Sequence, residues 1–433
     1  QQTLFPKTMT MASGEKPAVV VGGGLLGVAT FYELLRSGRP AVLLETGEQL
    51  ATGASFANGG MLTASMPDPW NSPGVGKHLI ASLFDPYAAM KLRPHVLPGM
   101  MFWGLKFLRN STPARHRQTT QENYRLARYS VERTAALTDE LGIEYDASSA
   151  GTLKVFDSDK AFEASRSISE ILVPLGLEFA TLSAEEAVNK EPALINVKDR
   201  IVQALFYPGD ASGDAHLFTR ALANCCKAMG GEVRTHSEVQ RIEVERGRVV
   251  ALQTKQGRVE ADDIVLAAGA QSFGLAKTAG VSLPIRPAKG YSVSVDIEGW
   301  ELTPTIPIID DAMHAAVTPL GDRLRFVGTA EFAGFDTRIQ PDRVDNLFNL
   351  LSRLYPHLVD RIDRGRARTW AGLRPMSADG RALIGGIGPK GLWVNTGHGH
   401  LGWTMAVGSA EMLAADMLGR KPPVGTTAFM AER

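Results

Sequence analysis

Three stretches of this 433-residue chain predict an α/β fold class, α+β overall, with a nucleotide-binding domain on a parallel sheet and a discontinuous substrate domain on a mixed sheet. Residues 18–45 read as strand, glycine turn, helix and strand. Residues 239–260 alternate apolar and polar with period two, with Gly247 and Gly257 at the turns, as a three-stranded meander does. Asp263-Ile-Val-Leu-Ala-Ala-Gly-Ala270 is an apolar strand that ends in small residues. At roughly 100–200 residues per domain, the length suits two to three domains.

The first unit is Ala18-Val-Val-Val-Gly-Gly-Gly-Leu-Leu-Gly-Val-Ala-Thr-Phe-Tyr-Glu-Leu-Leu-Arg-Ser-Gly38, followed by Ala41-Val-Leu-Leu-Glu45. Its unbroken apolar runs suit parallel strands covered on both faces, and Gly38 falls where a left-handed helix cap is wanted. Residues 67–128 are less regular and rich in Pro, Met and aromatics, with a short apolar helix predicted over 97–109. Residues 121–195 alternate helical patterns with a strand at 152–156, a second mixed region spans 284–368, and a glycine-rich tail closes on a helix over 406–418. Residues 1–16 are polar and patternless and read as a leader remnant outside the fold. The resulting division assigns 17–66, 196–284 and 366–425 to the cofactor-binding domain, and 67–195 and 285–365 to the substrate domain.

Lys+Arg and Asp+Glu both number 46, so no global field draws the chain to nucleic acid or to an acidic partner. The 44% apolar and 21% charged shares are those of a globular protein. The 2 cysteines, Cys225 and Cys226, are adjacent on a predicted helix, which excludes a disulfide framework and a zinc cluster and points to a reducing cytoplasm. No metal site is expected. No apolar run is long enough for a spanning helix. The 86–130 segment is nevertheless strongly basic, with Glu122 its single acid, and carries aromatic residues among the cations. That pattern suits a solvated basic face of a substrate-domain helix, or a peripheral contact with a membrane surface.

Gly22-Gly23-Gly24-Leu25-Leu26-Gly27 is G-x-G-x-x-G directly after a strand and opening a helix. Gly22 permits the tight turn, Gly24 lets backbone approach a pyrophosphate, and Gly27 lets helix pack on strand. The helix N-terminus, with Leu25 and Leu26, offers donors to the phosphates, and Glu45 stands where a ribose diol would need an acceptor. The dinucleotide is read as FAD rather than NAD. A classical NAD enzyme would continue in further βαβ units, whereas here a meander beginning at Val239 leads to a strand ending at Ala268 and Gly269, small enough to meet the adenosine end of an embedded cofactor. The fold class expected for the domain is a Rossmann-like FAD-binding domain of the glutathione-reductase type.

Val21-Gly-Gly-Gly-Leu-Leu-Gly-Val-Ala-Thr30, Ala54-Ser-Phe-Ala-Asn-Gly-Gly60, Trp70-Asn-Ser-Pro-Gly74, Gly151-Thr-Leu153, Lys289-Gly-Tyr-Ser292, Thr369-Trp-Ala-Gly-Leu-Arg-Pro-Met-Ser-Ala-Asp-Gly380 and Asn395-Thr-Gly-His-Gly-His-Leu-Gly-Trp-Thr-Met405 occur in this order. Together they resemble the D-amino-acid oxidase-like (DAO) family of FAD-dependent flavoproteins, and within it the bacterial D-amino acid dehydrogenases. The resemblance implies that Ser55, Ala57, Asn58, Gly59, Gly60 and Met61 line non-covalently bound FAD from the pyrophosphate toward the flavin ring. It implies that Arg374 clamps the substrate carboxylate, as the planar guanidinium suits. Gly397, His398, Gly399, His400, Leu401, Gly402, Trp403 and Thr404 are expected at the flavin edge, with His398 near the ring. His400 also admits a structural reading. Tyr291 is expected at the pocket, or as a core aromatic.

The implied reaction is oxidative deamination of a free amino acid, with a D-amino acid as the expected substrate, by hydride transfer from Cα to flavin N5 and release of a 2-oxo acid and ammonia. Arg374, Tyr291 and His398 are its expected catalytic residues. The expected acceptor is a quinone or respiratory chain, in the cytoplasm or peripherally on the cytoplasmic face of the inner membrane. Two rivals share the cofactor: an oxidase or dehydrogenase of a secondary amine or imino acid (sarcosine, proline, hydroxyproline, an amino-phosphonate), and a non-catalytic flavin-binding subunit.

Overall fold

A computed structural model describes residues 16–81 and 90–433. The leader expected at 1–16 therefore lies, Lys16 apart, outside the described residues, as do residues 86–89 of the basic segment. Ala18–Val21 is the centre of a six-stranded sheet ordered Leu383–Gly386, Leu392–Thr396, Ile264–Leu266, Ala18–Val21, Ala41–Leu44, Glu232–Arg234. All its pairings are parallel except that of the Leu383–Gly386 edge strand. Alternate residues serve opposite faces, as the pleat requires. Ala18 and Val20 pack with Val28 and Phe31 of helix Leu25–Arg36 and with Ala410 of helix Ala406–Met417. Val19 and Val21 pack with Ile242 and Leu252 of the meander. The meander itself is Val239–Glu245, Arg248–Thr254 and Gly257–Glu260.

The second layer is a nine-stranded mixed sheet. Its path runs Arg368–Ser377, Ile285–Asp296, Arg323–Phe332, Ala315–Leu320, Ile308–Asp310, Thr152–Phe156, Gln203–Tyr207, Ala180–Leu182, with Met90–Leu92 pairing to Arg323–Phe332. Helix Pro341–Leu354 covers it through Leu347, Phe348 and Leu351, against Tyr291, Val293 and Phe326. Helix Leu97–Arg109 forms where the apolar run predicted it, burying Trp103 and Phe107.

Three segments change sides relative to the sequence-based division. Gln203–Tyr207 and Arg368–Ser377, assigned above to the cofactor domain, complete the substrate sheet, pairing Tyr207 with Thr152 and Arg374 with Ala288. A strand's own sequence does not say which sheet will take its backbone groups; the partner does. Conversely, helix Pro113–Leu141, assigned to the substrate domain, packs Tyr124, Leu126 and Ala127 into the same core as Val407 and Ala410, and Ser130 Oγ accepts from Gly408 N at 3.0 Å.

Asp214 joins the two layers. Its Oδ1 caps helix Ala215–Ala228 by accepting from His216 N and Leu217 N at 2.9 and 3.2 Å. Its Oδ2 meets Arg325 and Arg323 of the large sheet at 3.1 and 3.0 Å. Arg325 in turn donates to Ser294 Oγ and Asn58 O, both at 3.1 Å. Burial alone would raise the Asp214 carboxyl, but Arg325, Arg323 and the two capping N–H groups hold it below the usual carboxylate value.

Asp214→Ala leaves Arg325 buried without its counter-charge and is expected to cost about 3–5 kcal/mol in urea denaturation. Because the folded pKa is depressed, this stabilisation is present above roughly pH 4 and is lost as pH falls through the folded value. The gap between wild type and variant should therefore narrow in acid; a gap unchanged down to pH 3 would refute the assignment.

Candidate active site

The glycine turn is built for close approach. Gly22 has φ +113°, and a Cβ there would lie 2.7 Å from the Ala267 carbonyl oxygen. A Cβ on Gly27 would lie 1.8 Å from the Gly22 carbonyl oxygen, so helix and turn meet only without one. Helix Leu25–Arg36 has no side-chain cap from Gly24; Ser55 Oγ instead accepts from Leu25 N at 2.9 Å. Glu45 accepts from Gly23 N at 2.6 Å through Oε2 and from Gly47 N at 2.8 Å through Oε1. Each carboxylate oxygen keeps a further lone pair for a hydroxyl.

These groups open onto a cavity of about 1890 Å³ between the two sheets, lined by Gly22, Gly24, Leu25, Leu26, Glu45 and Ser55 at one end. Gly27 is not on the wall; it packs behind Gly22. Val239, Ala268 and Gly269 line the same end. Ala57, Asn58, Gly59, Gly60 and Met61 continue the wall, pinned to the large sheet by Thr318 Oγ1 donating to Gly59 O at 2.8 Å and Arg325 donating to Asn58 O. Asn58 Oδ1 accepts from Gly60 N at 3.0 Å.

The 397–404 segment splits by side. His398, Gly399, His400, Gly402 and Trp403 line the cavity. Gly397, Leu401 and Thr404 back it instead: Leu401 enters the core, and Thr404 Oγ1 accepts from Thr63 N at 3.2 Å. One motif thus supplies both wall and support. His398 Nε2 lies 3.1 Å from Ser409 Oγ, which itself donates to Ala406 O. Ser409 has one proton, so Nε2 donates and Nδ1 keeps its lone pair. That Nδ1 is buried without a partner, and burial pushes the imidazole down to about 3; His398 is neutral.

Arg374 lies on the cavity wall with its Nη1 donating to Thr329 O at 3.3 Å and its guanidinium 5.7 Å from the Trp70 ring centroid. Among the described residues it has no carboxylate partner. Burial pushes its pKa down to about 10, so it stays charged at neutral pH. Gly290, opposite Gly372 in the neighbouring strand, makes room for it: a Cβ there would lie 2.2 Å from Nη1. Tyr291 lines the cavity, but its hydroxyl donates to Glu331 Oε2 at 2.7 Å. Lys289 Nζ at 3.2 Å and Arg93 also meet Glu331. Burial would raise the Glu331 carboxyl; the Tyr291 hydroxyl, Arg93 and Lys289 hold it lower. Tyr291 thus stands at the cavity wall with its hydroxyl proton engaged by Glu331.

Trp70, Gly290, Asp68 and Thr329 line the cavity too, and sequence reasoning did not assign them to the site. Trp70 and Gly290 sit inside motifs quoted above, which was a usable signal. Asp68 and Thr329 carry none. Thr329 has φ +58°, strained backbone for a β-branched residue, beside Arg374.

The cavity exceeds the roughly 300–1,000 Å³ of a small-ligand pocket, and it joins a glycine cradle, the Glu45 carboxylate and the Arg374 guanidinium, which has no carboxylate partner among the described residues. These residues fit a dinucleotide with a carboxylate substrate beyond it, and the fold and site define a flavin-dependent oxidoreductase. The family profile described as "FAD dependent oxidoreductase" (DAO) matches residues 18–416, and the chain belongs to that family. It is 36% identical over 415 residues to a D-amino acid dehydrogenase of Cereibacter sphaeroides, covering 96% of this chain and 94% of the relative. It is 35% identical to one of Bradyrhizobium diazoefficiens, covering 96% and 98%. Among solved structures, glycine oxidase from Geobacillus kaustophilus superposes with TM-score 0.76 at 23% identity over 96% of this chain and 98% of that one. L-Proline dehydrogenase from P. horikoshii gives 0.74 at 20% over 95% and 96%. At such identities these structures share the fold.

Gly290→Ala should displace the Arg374 guanidinium while sparing the nucleotide cradle. Flavin content is expected to stay at wild-type level and KM for a carboxylate substrate to rise about ten- to a hundredfold, the loss of one charge-assisted contact. An unchanged KM would show that Arg374 does not depend on that space.

Proposed function

We propose that this protein oxidises a free amino acid, of the D series, to its 2-oxo acid and ammonia, and passes the electrons to a quinone. The observation that carries this reading is Arg374, a charged guanidinium in the cavity without a carboxylate partner among the described residues. Burying such a charge is costly unless something pairs with it, and a substrate carboxylate is the partner its planar fork fits. Two parallel hydrogen bonds from Arg374 would fix the orientation of Cα. FAD supplies the two-electron oxidation. Neutral His398 and the Tyr291 ring add no charge beside the reacting carbon. The D-amino acid dehydrogenase relatives support the substrate class and chirality.

The acceptor side rests on helix Leu97–Arg109. It buries Trp103, whose Nε1 donates to Met376 O at 3.1 Å two residues past the clamp. It exposes Leu97, Met101, Phe102, Leu105 and Leu108, with Phe102 at 75%. Lys106, Arg109, Arg115 and Arg117 are exposed beside them. An apolar stripe bordered by cations suits an anionic lipid surface, where quinones reside. No helix among the described residues is long and apolar enough to cross a membrane.

Mixed without oxygen with D- and L-amino acids in turn, the flavin is expected to bleach with D-amino acids, and Arg374→Leu to raise KM about 10²–10³-fold with flavin content intact. Colour that persists with all of them but bleaches with sarcosine or proline would replace this reading with secondary-amine oxidation. In vesicle co-sedimentation, binding to anionic lipid is expected to weaken with salt and to fall at least tenfold in Leu105→Glu; binding indifferent to both would remove the membrane contact.

A further inference from the structure

Asp68 and His400 line the cavity with Arg374, and the reading above gives them no task. His400 is fixed on two sides. Its Nε2 lies 3.3 Å from the Met66 carbonyl oxygen, which can only accept, so Nε2 carries the proton and Nδ1 the lone pair. Its ring lies 14° from parallel to that of Trp70, with centroids 5.7 Å apart. The Arg374 guanidinium is also 5.7 Å from the Trp70 centroid. Among the described residues no protein donor meets His400 Nδ1 or the Asp68 carboxylate.

The cavity therefore has a cation at one side of Trp70 and two unserved acceptors beside it. An α-amino acid carries its carboxylate and ammonium on one carbon, so a receptor for it needs a cation and an acceptor at short separation, and Trp70 touches the groups that supply both. The charged groups facing His400 are Asp68, from the segment before Trp70, and Arg374, from the clamp strand. Burial lowers the imidazole pKa, Asp68 opposes that and Arg374 adds to it.

Resting on the amino-acid reading, we propose that Asp68 and His400 form the ammonium-binding and proton-accepting end of the site. One N–H bond of the substrate ammonium breaks, its electron pair stays on nitrogen, and the proton bonds to His400 Nδ1. Asp68 offsets the imidazolium charge so formed. The amine is then neutral, and its lone pair is available for the C=N bond when the family's FAD-dependent oxidation removes hydride from Cα. His400, expected above at the flavin edge, is on this assignment a catalytic residue toward substrate, and Asp68 positions its charge.

The test uses the flavin-loaded protein. The isosteric pair 2-aminoisobutyrate, which has no Cα–H, and pivalate, which has no amine, are titrated by calorimetry at neutral pH. Asp68→Asn is expected to weaken 2-aminoisobutyrate at least tenfold and to leave pivalate within twofold. The pH profile of anaerobic flavin reduction by a D-amino acid is then compared with that of His400→Gln. The acid limb of the variant is expected to move up by more than one pH unit, toward the ammonium pKa of the substrate, with the rate recovering at high pH. Equal loss for both ligands, undiminished selectivity, or a limb that stays in place while the rate falls at every pH would overturn the assignment. Wild-type flavin that no amino acid bleaches at any pH would overturn the amino-acid reading, and this assignment with it.

Discussion

The contact of Asp214 with Arg325 is the constraint on which the site depends. One carboxylate caps a helix of the cofactor layer and meets a strand of the substrate sheet, and the same arginine holds the backbone of Asn58. Groups at the boundary between the sheets are buried, so their polar atoms must be served by protein. Serving them through a capped helix and a paired strand places the 57–61 loop against the large sheet at a defined distance.

Within this frame two kinds of residue divide the work. Glycines remove side chains where backbones or a guanidinium must come close: Gly27 against Gly22, and Gly290 under Arg374. Charged and polar groups are then left unserved on purpose of position. Arg374 has no carboxylate partner among the described residues, and His400 keeps a free lone pair because a carbonyl claims its other nitrogen. A folded protein tolerates such groups only where the rest of the structure offsets their cost, so their clustering around Trp70 is informative.

The parts of the fold that were legible are those set by local pattern. The glycine turn after an apolar strand, the period-two meander and the apolar helix at 97–109 each depend on neighbours within a few residues, and each forms where expected. The strands Gln203–Tyr207 and Arg368–Ser377 were placed in the wrong layer because pairing partners lie far away in the chain. Gly22, Gly24, Glu45 and Arg374, each expected from a motif with a geometric need, all line the cavity. Tyr291, expected at the pocket or as a core aromatic, is both: it lines the cavity and packs in the core, and only the fold brings Glu331 to its hydroxyl.

The class of cofactor and the motif arginine at position 374 could be read from residue types in short runs. Only the tertiary structure decided what surrounds that arginine. Asp68 and Trp70 from one segment, and Gly290, Thr329 and His400 from three others, are brought together only by the fold. Their proximity is a property of two sheets meeting at a fixed spacing, which is set by long-range pairing and a buried ion pair.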